Sequence, residues 1–186
     1  MLNLFKTKFS LIFVILFGAL IFSGYSLTPV TKHASWADSQ KNIEEAFNNS
    51  DIVLIANVNT SKSYKLYESV FTNYKINVVK TFKGSEKFSP NKIEVRLNGG
   101  NLGLKQYKVI GQEMLQNNNT YLFMLKKVWP DDPNSQEYAP IGGFQGVISL
   151  TDLNGYLVGQ DFNSVNRLEK ELKGKDVTSL LKTAKQ

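Results

Sequence analysis

The stretch "SDIVLIANV" (Ser50–Val58) gives the strongest indication of the fold. Its short, β-branched apolar run stands between polar residues, which is typical of a buried β-strand. The next apolar segment, "YESVFTNYKINVVKTF" (Tyr67–Phe82), alternates between apolar and polar positions and predicts a second, longer strand. The alternation shifts near Val78 and Val79, so we predict a β-bulge there.

Further strands and turns follow along the chain. "KIEVRL" alternates cleanly, with Ile93, Val95 and Leu97 facing inward, and "NGGNLG" after it has the composition of a turn. Three more runs predict strands: 120–128, "EYAPI" at 137–141, and 144–150. Asn154-Gly155 within "DLNGYLVG" predicts a hairpin turn.

Short helices are predicted on both sides of the strands. Residues 38–49 form the first, with Asp38 or Ser39 as the N-cap and with Ile43, Ala46 and Phe47 on one face. Near the C-terminus, Ser164 and Asp176 can each begin a helix, and Gly174 ends the first of these two. The chain is therefore predicted to be mainly β, with five or more strands in a small barrel or a sandwich and with short flanking helices.

The N-terminal region, residues 1–37, is predicted to be an apolar leader helix. Lys6 and Lys8 precede an uncharged apolar core, and Ser35-Trp36-Ala37 supplies small residues for cleavage before Asp38, as in a signal peptide. The alternative is an uncleaved membrane anchor. No residue from 9 to 31 is charged, so this stretch reaches the roughly 20 residues that a membrane-spanning helix needs. Both interpretations predict that the N-terminus starts on the cytoplasmic side of the membrane and that the domain after it is extracytoplasmic.

Several of these segments together resemble one family. The Ser50-Asp51 pair before an apolar strand, the Phe82-Lys83-Gly84 step and the Tyr121-Leu122 pair make residues 43–150 similar to the netrin-like domain. That domain is the OB-fold barrel of the tissue inhibitors of metalloproteinases and of related bacterial exported proteins. The resemblance implies a mainly β fold, a five- to six-stranded OB barrel with short flanking helices, over residues 38–160, with residues 161–186 as a C-terminal helical segment. Inhibition in that family depends on an N-terminal cysteine, which this chain lacks, so the resemblance implies the fold alone.

The composition argues against an enzyme. The sequence has no cysteine, and its single histidine, His33, precedes the candidate cleavage site. The usual general base, the Ser–His and Cys–His pairs and the common zinc ligands are therefore missing from the chain after residue 37. A hydrolase of unrecognised type, for instance with a Ser–Lys pair among residues 61–65, is an alternative. We expect no cofactor and no catalytic residue.

The loop "WPDDPNSQ" and the residue after it contain candidate metal ligands. Asp131, Asp132 and Glu137, with Asn134 close by, offer oxygen atoms of the kind that bind Ca²⁺. Their spacing matches no established calcium loop. The alternative is an acidic, solvated turn, and it is the interpretation that we favour.

Charge points to a binding surface. Residues 61–108 contain ten bases and three acids, a net charge of +7. The residues that we predict for a binding face are Lys75, Lys80, Lys83, Lys87, Arg96, Tyr64 and Tyr67. With Phe71 and Tyr74, they resemble the basic, aromatic groove with which OB folds bind single-stranded nucleic acid. The alternative, which we favour, is a solvated, lysine-rich surface with the aromatic rings in the core.

We expect a non-enzymatic binding module at the outer face of a bacterial membrane, with a protein as the partner. The partner would use the barrel face or the loops at 83–92 and 130–137. The alternative is adhesion to anionic lipid or wall polymer through the basic 61–108 region. We expect no nucleic acid partner, because the domain is predicted to lie outside the membrane.

Overall fold

The computed structural model describes residues 29–33, 38–85, 88, 93–153, 156–159 and 167–183, which form ten strands and three helices. The strands are β1 (Val30–Lys32), β2 (Ile52–Leu66), β3 (Ser69–Lys83), β4 (Glu94–Asn98), β5 (Gly100–Leu102), β6 (Lys105–Val109), β7 (Thr120–Lys127), β8 (Glu137–Pro140), β9 (Val147–Leu153) and β10 (Tyr156–Gly159). The helices are α1 (Ile43–Asn49), α2 (Arg167–Leu172) and α3 (Val177–Thr183).

The main sheet has seven strands in the order β10-β9-β7-β2-β3-β4-β8, and it is partly closed because β8 also pairs with β7. Five strands are therefore joined in a cycle: β2–β3, β3–β4, β4–β8, β8–β7 and β7–β2. All these pairs are antiparallel except β4–β8, which is parallel. The prediction of a mainly β fold is confirmed.

Two hydrophobic cores lie on opposite sides of β2 and β7. Alternate residues of these strands, among them Ile52, Leu54 and Phe123, pack inside the partly closed sheet. The residues between them, such as Val53 and Met124, pack outside it against the three helices. Burial on both faces explains why Ile52–Ala56 and Tyr121–Leu125 are continuous apolar runs rather than alternating ones.

The predicted bulge is confirmed. Ile55 pairs with Lys80 and Ala56 pairs with Val78, so Val79 is the extra residue of β3. Ile76 is buried, and Val78 packs against the inner core beside it, as the alternation predicted.

Other boundaries differ from the sequence prediction. The N-cap of α1 is Asn42 rather than Asp38 or Ser39, and its side chain accepts a hydrogen bond from the Glu45 amide. β2 continues to Leu66, because its polar second half pairs with β3 across a tight turn. β9 begins at Val147 and not at residue 144.

A small second sheet, β1-β6-β5, was not predicted. β5 lies within the segment NGGNLG (98–103) that was expected to be a turn, and it forms a hairpin with β6, which follows that segment. β1 pairs with β6 in parallel. β1 belongs to the predicted leader, so three residues of that region pair with the domain. Residues 1–28, Ser164 and the Asn154-Gly155 pair that was predicted as a turn lie outside the described residues. β9 and β10, before and after that pair, are antiparallel neighbours in the main sheet. None of the helices in the described ranges is long and apolar enough to cross a bilayer.

Candidate functional site

The outward side of β2, β3 and β4 brings together polar and charged side chains from three strands. Lys62 pairs with Asn73, and Asn73 pairs with Arg96. One step further along, Lys75 of β3 pairs with Glu94 of β4. Because neighbouring side chains of a strand point to opposite faces, these residues share the face that turns away from the inner core. We call this surface the β2–β4 groove.

The groove encloses a volume of about 610 Å³ and is lined by Thr60, Lys62, Tyr64, Asn73, Lys75 and Glu94, among others. Asn73 donates through Nδ2 to Glu94 Oε2 over 3.0 Å. Its Oδ1 atom is buried and has no hydrogen-bond partner. An unpaired buried acceptor costs free energy.

At one end of the groove, Arg96 lies between two aromatic rings. Its Cζ atom is 5.0 Å from the ring centre of Phe71 and 5.5 Å from that of Trp129. Arg96 Nη1 is 3.7 Å from Glu137 Oε2, and each of these two side chains is 17% exposed. The guanidinium is therefore held by cation–π contacts and by a partly desolvated carboxylate.

Glu137 joins this cluster to the loop between β7 and β8. Tyr64 donates through its hydroxyl to Glu137 Oε1 over 3.1 Å, and Trp129 Nε1 donates to Oε2 over 2.7 Å. Burial raises the pKa of Tyr64, and the negative charge of Glu137 adds to this rise. The tyrosine stays protonated and keeps donating its hydrogen bond. Trp129 is 48% exposed, so its ring both covers Arg96 and faces solvent.

The structure brings together some of the predicted binding residues and separates others. Lys75 and Tyr64 line the groove, and Arg96 lies at its end. Tyr67 is 88% exposed in the β2–β3 turn. Lys80 lies over the ring of Phe82, and Lys83 donates to the carbonyls of Phe47 and Asn48 at the end of α1. Lys87 is outside the described residues.

The candidate calcium ligands do not converge. Glu137 is engaged by Arg96, Tyr64 and Trp129, while Asp132 Oδ1 accepts from the Asn134 amide within its own loop. Among the described residues, no three or more side chains of the metal-binding types are grouped so that they could hold an ion.

Tyr74, one of the aromatic residues considered for the basic face, is 1% exposed and belongs to the inner core. Sequence reasoning also missed Asn73, Glu94 and Trp129. For Asn73 and Glu94 a signal was present, because both fall at the outward positions of alternating strands. No signal in the sequence indicated Trp129, because its position depends on how the β7–β8 loop folds back over Arg96.

A comparison of the chain with protein-family models and with curated proteins finds no match to either.

Proposed function

We propose that this chain is an extracytoplasmic, non-enzymatic binding protein built on a netrin-like OB barrel, and that a segment of a protein partner binds in the β2–β4 groove. The strand pairing supports the fold: within the cycle the first strand lies between the second and the fourth, and the third runs parallel to the fifth. This is the arrangement of the five-stranded OB barrel. In OB folds the second and third strands and two neighbouring loops form the binding surface.

The residues of the resemblance also have structural roles that fit such a barrel. Asp51 Oδ2 accepts from the Lys127 amide over 2.9 Å, which links the start of β2 to the end of β7. Gly84 has a φ of +73°, and an added Cβ there would collide with the Asp51 carbonyl oxygen. Tyr121 accepts from the Gln116 amide over 3.0 Å.

The open groove lined by two exposed lysines is the observation that carries the proposal. Lys62 and Lys75 share this surface with Glu94, so the groove offers two cations and one carboxylate. A peptide segment with acidic side chains matches the two lysines, and its backbone N–H groups match the carboxylate. Trp129, Arg96 and Tyr64 at its end are residue types that often dominate binding energies at protein interfaces. The partner that we propose is therefore an acidic segment of a cell-surface protein.

Site-specific photo-cross-linking in intact cells of the producing organism tests this proposal. A photoreactive residue at Thr60 or Ser61, in the groove, should give one discrete cross-linked product. The same residue at Lys126, an exposed position on β7, is the control and should give none. The Lys62→Glu/Lys75→Glu variant should abolish the product, because it reverses the charge of the groove.

The matched control variant is Lys41→Glu/Lys126→Glu, which makes the same change of charge at exposed positions outside the groove. Its cross-linked product should be unchanged. Equal cross-linking from the groove and from Lys126, or a product that survives the groove variant, would contradict the proposal.

A further inference from the structure

The sheet β1-β6-β5 carries groups that the β2–β4 groove does not use. Its three strands contain Lys32, Lys105 and Lys108 and no carboxylate. Leu104, in the turn that joins β5 to β6, is 81% exposed. An exposed apolar side chain beside lysines suits the interface of an anionic bilayer, because the leucine can enter the headgroup region while the lysines meet phosphate.

The direction of β1 determines which end of this sheet is next to the predicted anchor. β1 runs parallel to β6, with Val30 opposite Tyr107 and Lys32 opposite Val109. Pro29 therefore lies at the end of β6 that begins with Lys105, beside the turn that contains Leu104. In the sequence, no residue from 9 to 31 is charged. An anchor formed by the part of that stretch before β1 would join the domain on the side of the Leu104 turn and hold the turn near the bilayer.

We infer that the Leu104 turn, with Lys105 and Lys108 of β6, docks the domain on an anionic bilayer, with Leu104 inserted among the headgroups. The inference rests on the extracytoplasmic location in the proposed function and on the interpretation of the N-terminal region as a membrane anchor, but it uses different residues from the β2–β4 groove. The bilayer surface would thus limit the orientations of the tethered domain and with them the directions from which a partner reaches the groove.

The absence of cysteine from the sequence makes a direct test possible. Leu104→Cys and, as the control, Lys126→Cys introduce one labelling site each at exposed positions. The full-length chain carries an environment-sensitive fluorophore at that site, in vesicles of phosphatidylglycerol and phosphatidylcholine that contain a nitroxide-labelled lipid. We expect several-fold stronger quenching at position 104 than at position 126. Vesicles of phosphatidylcholine alone should reduce the quenching at position 104.

Lys105→Gln/Lys108→Gln, added to Leu104→Cys, should also reduce this quenching, with an unchanged circular dichroism spectrum as the check on folding. Equal quenching at the two positions, quenching indifferent to the lysines, or a chain that does not float with the vesicles would each overturn the inference. A failure of the docking inference can be distinguished from a failure of the proposed function, because cross-linking from the groove is measured in a separate experiment.

Discussion

Gly100 is the first residue of β5, where the chain has left β4 and crosses the β2–β3 hairpin. Its φ is +140°, and an added Cβ would collide with the side-chain oxygens of Thr72 and Ser63. These two hydroxyls are 2.8 Å apart, and Thr72 also donates to the Gly99 carbonyl over 2.7 Å. The backbone therefore approaches a small hydrogen-bonded cluster that has no room for a side chain.

Gly100→Ala should destabilise the protein by about 3 kcal/mol, because it combines an unfavourable φ with a collision. Gly103→Ala is the matched control: it also has a positive φ, +59°, but nothing lies within 4 Å of its added Cβ. Its cost should be about 1 kcal/mol, from backbone strain alone. Urea unfolding followed by circular dichroism measures both, and equal losses would contradict the collision at Gly100.

Among single residues, the sequence indicated Gly100 only as part of a turn. The positive φ of Gly100 is typical of a glycine in a turn. Its contact with Thr72 and Ser63, however, depends on how β5 crosses the β2–β3 hairpin. Lys83 was predicted as a binding residue, but its ammonium donates to the carbonyls of Phe47 and Asn48 at the end of α1. This contact also depends on tertiary packing. A lysine gives no indication in the sequence of whether a helix end lies within its reach.

At the scale of the elements, α3 shows a cap that the sequence predicted correctly. Asp176 accepts from the amides of Thr178 and Ser179 over 3.0 and 3.3 Å, and from the Ser179 hydroxyl over 2.5 Å. These hydrogen bonds, the one from the Ser179 side chain above all, hold the pKa of Asp176 below its ordinary value. The cap matters for the whole fold because Val177 and Leu181 of this helix are buried in the outer core.

Asp176→Ala should lower the free energy of unfolding by about 1 kcal/mol at neutral pH, as expected for a lost N-cap. Because the pKa is lower in the folded state, the contribution of the charge is complete above the unfolded-state pKa. It is lost as the pH falls through the folded-state value. The difference in stability between wild type and Asp176→Ala should therefore become smaller at acidic pH. Asp176→Asn, which keeps an acceptor without a charge, should retain part of the cap, and a constant difference at every pH would contradict this reasoning.

The strands differ in how far the sequence predicted them. Alternation in β4 and the bulge at Val79 were predicted, since one face of these strands is buried and the other is not. The second half of β2 was missed because Asn59–Leu66 has no apolar pattern of its own. Its pairing with β3 across the tight turn at Tyr67 and Glu68 keeps it in the sheet.

At the scale of the molecule, the sheet and the helices stabilise each other through the outer core. This core joins β2, β7 and β9 to all three helices, with Leu168, Leu172, Val177 and Leu181 fully or almost fully buried. The C-terminal helices therefore cover one face of the same strands that close around the inner core. We expect the two cores to unfold together.

Leu181→Ala should cost about 3 kcal/mol, because it opens a cavity in the outer core. Leu104→Ala, the same change at an exposed position, is the control and should alter stability by less than about 0.5 kcal/mol. Urea transitions followed by far-UV circular dichroism and by tryptophan fluorescence should coincide for both variants. Separate transitions would show that the helices and the sheet unfold independently.

The sequence by itself determined the β-rich class, the main strands, the bulge at Val79 and the cap at Asp176, because each depends on neighbours within a few residues. Only the tertiary structure decided the β1–β6 pairing, the continuation of β2, the Arg96–Glu137–Trp129 cluster and the groove around Asn73. Each of these joins residues far apart in the chain, and their contacts depend on how strands and loops pack in space. Local propensity carries no information about such distances.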